Sequence, residues 1–524
     1  MKKALGVAGI VVVAIGCGGA AVQEPRTAPT AAADVAASPS AKPQAPAAEP
    51  RTWALPAEPR DPKTTPAEGK DVRTEAWSKA AKVKGVPAAP SSTCAAFAKP
   101  APVKPPPTDV STALVEKDAA KRNAMLAAIE AAKPDLAPVI RAMRAELAPV
   151  ECADAITDPA LAATPTASGA AGQMTIGLSL ASKLSRTAAV APAMKDASDK
   201  EKVKRFIQGP LRQWMVEQAS AIDALSAPAA ELGGLARGVV AIEAGMADLR
   251  LVDRIRSAPT PSTWDKELKA VYEAALDEAL EPRKVRGRDA ALVGLSDFAA
   301  AGIVQDARVD RARALLSKLY GGRRIDALDA LLLPEGAASA IALPESVLAL
   351  VPSDPAKRDA FAQLGLAPAA SPRSARTRLE MGQKYWRRVD FVEAAHAAAK
   401  EATPDAKLVL AVALALAKGP NGAKEMMTAA SPAALHLNDT AALDALASEA
   451  PLGIAGMAAF DAAHLRSLST PEGDAAAPYL ADVAARFRRA AGLLEDPAQR
   501  KRAEERAADA DAAAKAAGKP AGAS

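Results

Sequence analysis

From Ser198 onward the chain is cut at regular intervals by proline and glycine, and nothing between the cuts reads as a strand. The joints are Pro228, Pro259 with Pro261, Pro282, Gly302, Gly321-Gly322 and Pro334. Between them the pattern predicts helices over about 202–225, 229–256, 263–281, 288–301, 306–319 and 323–332. Ser198-Asp199-Lys200-Glu201 has capping-box spacing, in which the hydroxyl and the carboxylate each serve orphan backbone amides. Ser353-Asp354-Pro355, Ser431-Pro432 and Thr470-Pro471 each set a capping side chain just before a proline suited to a first helical turn. There is no sustained Val/Ile/Thr alternation and no Asn-Gly hairpin between apolar runs. Short helices joined this way predict an all-α fold, an α-solenoid or stack of helical hairpins.

Composition says how such helices must pack. Half of the 524 residues are apolar, yet aromatics are only 3% and alanine dominates the apolar set. Small side chains bury little area each, so the core has to come from many closely approaching helices. The length is enough for two to four domains or one long solenoid. A net charge of +5, spread along the chain, reads as solubility and not as a nucleic-acid footprint.

The first seventeen residues carry an address. Lys2 and Lys3 precede an apolar run from Ala4 to Ile15, too short to span a bilayer, which is the layout of a secretory signal peptide. Its end, Ala14-Ile15-Gly16-Cys17, resembles the lipobox of bacterial lipoproteins. That resemblance implies cleavage after residue 16, a diacylglycerol thioether on Cys17 and usually an acylated amino group. It departs from the family at Ala14, where leucine is commoner. Gly18 is not the aspartate that often holds lipoproteins at the inner membrane, so the resemblance points to the outer membrane, facing the periplasm. With Cys17 lipidated, Cys94 and Cys152 remain as an even pair in an oxidising compartment. A bridge between them would contribute about 4 kcal/mol through the entropy of the unfolded chain. The alternative is two separate thiols.

Taken in order, residues 1–16 are a signal peptide and 17–70 a disordered Pro/Ala-rich tether; seventeen of the 42 prolines lie between Pro25 and Pro107. Residues 71–108 form a transitional arm with a short helix around 74–84, which Cys94 would pin to the body. A first helical region covers 109–334. Val115, Ala119, Arg122, Leu126 and Ile129 mark one helical stripe there, and Asp135 is placed to cap the next helix, to about Leu147. Thr157 to Gly172 reads as a loop. A second helical region covers 335–517 and ends in helices at 452–466, 474–494 and 497–517. The last of these has no apolar stripe beyond alanine and is expected to fray into a disordered tail at 518–524.

One hairpin is more specific. Gly382, Tyr385, Asp390-Phe391, Glu393-Ala394 and Pro404-Asp405 resemble the tetratricopeptide repeat, with a degenerate neighbour, so that the likeness covers 376–430. The resemblance implies that Gly382 lets two helices touch, that Tyr385 packs in their groove and that Ala394 keeps the second helix close. Glu401 stands where the family has a small residue, and Pro404 comes about two residues early.

A catalytic constellation is not legible. His396, His436 and His464 have no metal-ligating partner at helical spacing, and there is no C-x-x-C, no Walker A loop and no serine with lysine three residues on. Gly233-Gly234 and Gly238 lie within an apolar helical stretch and read as packing glycines. Gly177 to Ala181 falls short of a nucleophile elbow. Envelope solenoids also occur in lytic transglycosylases, but Glu345-Ser346 and Glu151-Cys152 lack the downstream segment of that family, and neither supplies aromatic walls. The reading is therefore a lipid-anchored scaffold that binds proteins, with no catalytic residue, cofactor, metal, nucleic acid or small-molecule substrate. The alternatives are a peptidoglycan-cleaving enzyme and a purely structural spacer.

Overall fold

The computed structural model describes residues 53–57, 70–105, 107–194, 199–320, 324–334, 345–351, 355–363 and 374–518. The signal-like segment, Cys17, most of the tether, Ser198, Ser353-Asp354 and the tail beyond 518 lie outside them. The described residues form one all-α unit beginning at Trp53, whose buried side chains make a single continuous core. That core runs across both helical regions read from the sequence.

The arm opens with β1 (Val72–Arg73), which pairs antiparallel with β2 (Thr166–Ala167) in the one sheet among the described residues. Helices α1 (Glu75–Ala80), α2 (Ser91–Ala98), α3 (Val110–Leu114), α4 (Ala119–Ala132), α5 (Ala137–Leu147), α6 (Ala153–Ala162) and α7 (Gly169–Arg186) come next. The stripe from Val115 is broken, because Val115 ends α3 and is exposed, while Asp118 starts α4 by accepting from the Lys121 amide. Asp135 does not cap α5; a 3₁₀ turn at Pro134–Leu136 leads into it instead. The expected loop at 157–172 is mostly helix. Pro159 sits inside α6, where the buried Thr157 hydroxyl bonds back to the Ala153 carbonyl.

The arm is laced to this body. Trp77 Nε1 donates to Ser179 Oγ at 2.8 Å, Arg186 Nε to the Pro87 carbonyl at 2.9 Å and Gln218 Nε2 to the Gly85 carbonyl at 2.7 Å. Cys94 and Cys152 are at bonding distance, their Cα atoms 5.0 Å apart, both buried. Under the lacing lies Asp154, ion-paired to Arg186 at 2.6 Å and Lys183 at 3.4 Å. Burial works to raise its pKa, but the Arg186 hydrogen bond and the two cations outweigh it and hold the carboxyl below its ordinary value.

Helices α8 (Lys200–Phe206) and α9 (Arg212–Ser226) are joined by a π-turn containing Pro210, and Asp199 caps α8. They lead to the central pair, α10 (Gly234–Arg256) and α11 (Lys266–Ala300). The sequence predicts a joint at Pro282; instead α11 runs through it. An interior proline costs roughly 3 kcal/mol, and contacts made just beyond it offset that cost. Arg283 Nε reaches the fully buried Asp248 at 2.9 Å one residue later, and the helix then lies against α10 along a seam of glycines. A Cβ on Gly245 would sit 2.6 Å from the Gly287 carbonyl oxygen, and one on Gly294 would sit 2.8 Å from that of Gly238. The main chains touch at both places.

After α12 (Ala307–Leu319) the expected helix at 323–332 is only a 3₁₀ turn, Ala327–Ala330. Helices α13 (Glu345–Leu348), α14 (Pro355–Gln363), α15 (Ala375–Tyr385), α16 (Arg388–Ala398), α17 (Pro404–Leu416), α18 (Ala423–Thr428), α19 (Ala441–Glu449), α20 (Leu452–Leu468), α21 (Ala476–Leu493) and α22 (Pro497–Ala517) complete the chain. From α15 on, helices pack chiefly on near sequence neighbours, as stacked hairpins do. Thr403 caps α17 just before Pro404, but Thr470-Pro471 starts no helix and Ser431 makes no side-chain cap. The last helix, α22, spans its expected bounds, 497–517. Ala503, Ala507 and Ala510 form a buried i, i+4, i+7 stripe against α21, so alanine alone supplies the apolar face. Among the described residues no helix is long and apolar enough to cross a membrane.

The glycine seam gives a direct test. Gly245→Ala adds helix propensity worth about 1 kcal/mol, but its methyl meets backbone atoms that have nowhere to go. The expected net result is a loss of about 1–3 kcal/mol, read as a lowered thermal midpoint. Unchanged or raised stability would mean the two helices stand further apart.

Candidate functional site

The hairpin of α15 and α16 brings together the three residues singled out at its packing positions. Gly382 is buried, and a Cβ there would run into the Phe391 ring. The side chain filling the space above Gly382 is thus Phe391, across the pair. Tyr385 is 2% exposed and its hydroxyl donates to the Ile303 carbonyl at 2.5 Å, while burial pushes its ionisation far above the usual phenol range. Ala394 is wholly buried on α16. The helices reverse at Trp386, a non-glycine residue in the left-handed region (φ 58°). Its ring is buried and Nε1 donates to the Ile325 carbonyl at 2.8 Å, tying the turn to the preceding region.

The outer side of α16 carries an unexpected guest. His396 Nε2 lies 2.7 Å from the Pro56 carbonyl. A carbonyl only accepts, so Nε2 carries the hydrogen and donates. Trp53 is half-buried against the core. The tether expected to be disordered throughout 17–70 is therefore docked at 53–57. The sequence signal is the lone Trp53 in an otherwise small-residue tract.

Two further places hold ionisable groups. A cleft of about 450 Å3 is lined by Glu146, Glu151, Asp306, Arg308, Arg311 and Ser346 among others. Glu146 and Arg308 pair in its wall, and Arg308 is held charged because Glu146 and Asp306 outweigh its burial. Both carboxylates weighed as acids from the sequence come near this cleft, Glu151 as a lining residue and Glu345 beside Ser346. Glu345 is engaged elsewhere: its Oε2 accepts the Val304 and Gln305 amides. Among the described residues no aromatic side chain lines the cleft.

The second place is the middle of α20. His464 Nε2 donates to the Ala327 carbonyl at 2.8 Å, and burial pushes its pKa down to about 4, with Arg506 and Arg502 adding to the effect. Asp461, fully buried one turn earlier, accepts the Leu332 amide at 2.8 Å, and burial raises its pKa well above the ordinary value despite Arg502. His396 and His464 are thus packing and tethering residues, and His436 sits in a left-handed turn at φ 53°. Among the described residues no group of three or more His, Cys, Asp or Glu is placed to hold a metal. Compared with known proteins, the chain matches no family model, no curated protein and no solved structure.

The hairpin geometry is open to a simple measurement. Ala394→Leu has no free volume to enter and should cost about 1–3 kcal/mol, whereas Lys400→Leu, on an exposed residue just past the same helix, should change stability by less than about 0.5 kcal/mol. Equal melting midpoints would mean α16 is not tightly packed at Ala394.

The α20 pair gives opposed pH dependences. Burial raises the folded pKa of Asp461 above its unfolded value of about 3.9, so the stability linked to its neutral form is lost as pH rises above about 3.9. His464 is neutral when folded but protonated when unfolded, so its contribution is lost as pH falls from about 6.5 toward its folded pKa of about 4. Asp461→Asn removes the first effect. Relative to wild type, its stability should improve between pH 4 and pH 8. A pH-independent difference would show that Asp461 is ionised in the fold.

Proposed function

We propose that this protein is a lipid-anchored helical-repeat scaffold of the bacterial envelope, which binds other proteins and performs no catalysis. The observation that carries the reading is the buried Cys94–Cys152 pair at bonding distance. It is independent of the lipobox-like Ala14-Ile15-Gly16-Cys17 and asks for the same oxidising, exported setting. Stacked hairpins offer extended surfaces for protein partners, and the packing of Gly382, Tyr385 and Ala394 fits the tetratricopeptide resemblance. Glu345, with its carboxylate already accepting two backbone amides, is poorly placed as a general acid. This supports a binding role over peptidoglycan cleavage.

Replacing Cys17 with Ser should move the protein from the membrane to the soluble periplasmic fraction, because loss of the thioether removes the whole acyl anchor. A variant that stays membrane-bound overturns the anchoring. In-envelope cross-linking with mass spectrometry should return a reproducible protein partner; its absence favours a structural spacer.

A further inference from the structure

Residues 53–57, Trp-Ala-Leu-Pro-Ala, have no helix or strand, and their exposure repeats every three residues. Trp53 and Pro56 are half-buried, while Ala54, Leu55 and Ala57 are exposed, Leu55 at 39%. Three residues per turn is the period of polyproline II, which presents positions i and i+3 on one side and leaves its carbonyls free to accept. One such carbonyl, that of Pro56, is captured by His396 Nε2 at 2.7 Å. Folded domains take proline-bearing extended peptides as ligands, and the contacts here are one captured main-chain carbonyl with two half-buried side chains three residues apart.

We propose that the outer face of α16 around His396 is a docking surface for an extended peptide of the pattern Trp-x-x-Pro. The chain's own residues 53–57 fill it, and a partner protein presenting the same pattern displaces them. This rests on the protein-binding part of the function proposed above and names the chemistry of the partner. The occupant's attachment makes displacement reasonable. The segment rejoins the body at Lys70, whose carbonyl accepts from Gln173 Nε2 at 2.6 Å. Twelve residues, 58–69, separate the two docked points. Covalent attachment holds the segment near its site, so a contact that is weak in itself stays closed. A partner with more than the four-residue pattern to offer, or at high local density, can then compete.

The test uses a fluorescein-labelled peptide of residues 50–60 and the full chain carrying Cys17→Ser. In one version Trp53→Ala and Pro56→Ala disable the internal segment. By fluorescence anisotropy the peptide should bind this version at least about tenfold more tightly than the version with the segment intact, since no internal competitor remains. Adding His396→Ala should weaken binding about tenfold, and His396→Gln, which keeps a donor, should recover most of it. Circular dichroism melts should agree among the variants, which separates loss of the donor from loss of fold. Equal peptide affinity with and without the internal segment overturns the proposal. So does binding indifferent to His396, or no binding to the opened version. None of these results touches the scaffold reading, which is judged by the partners recovered from envelopes.

Discussion

The fold depends on main chains being allowed to touch. With only 3% aromatic residues, the protein cannot fill wide gaps between helices with large side chains. At the α10–α11 seam, Gly238 and Gly245 on one helix meet Gly294 and Gly287 on the other, seven residues apart on each. Close approach brings many backbone and methyl atoms within dispersion range, individually tiny and collectively large. It also drops charged side chains into fixed partners along the seam: Asp248 to Arg283, and Asp297 to Arg237 at 2.6 Å. The same economy appears at the far end of the chain, where three alanines on α22 are enough to seat it.

Much of this is legible in the sequence, and the misses have physical causes. The all-α class is readable from the absence of alternation and from the caps, and α22 matches its expected bounds of 497–517. Pro282 and Pro159 mislead because a sequence shows only proline's local cost. In both helices, contacts made elsewhere in the fold settle the matter. The apolar face of α22 is hard to read for a similar reason, since an alanine stripe has little hydrophobic signal but suits a partner only a methyl away. At the hairpin, the sequence singles out Gly382, Tyr385 and Ala394 as packing positions and includes Phe391 in the same pattern, but gives it no role, whereas in the fold its ring fills the notch at Gly382. The capture of the Pro56 carbonyl by His396, 340 residues away, has no local signature that names its site.

The polar interior obeys a related logic. Asp154 is buried among cations that keep it charged, which suits a joint where the arm must be held in one register. At Asp461 and His464 burial outweighs the neighbouring charges and disfavours the ionised forms. Each spends one hydrogen bond on the backbone around 327–332, the Leu332 amide for one and the Ala327 carbonyl for the other. Together they pin the last stretch before the second helical region onto α20. A hydrophobic pair could bury as well, but it could not specify which backbone groups lie opposite. That is the sense in which polar groups give this alanine-rich packing a unique register.

The docked segment changes what the N-terminal stretch can do mechanically. Thirty-five residues, 18–52, separate Cys17 from Trp53 in the sequence, and fifty-two, 18–69, separate it from Lys70. The contour length of thirty-five residues is at most about 120 Å, against about 180 Å for fifty-two. Release of 53–57 would therefore lengthen the reach of the body by about half while uncovering the face of α16. Tension along the tether and a competing peptide would act in the same direction, because both oppose the one contact set at Trp53 and Pro56. Binding and reach would then be thermodynamically linked: whatever favours the extended anchor must favour the partner by the same factor.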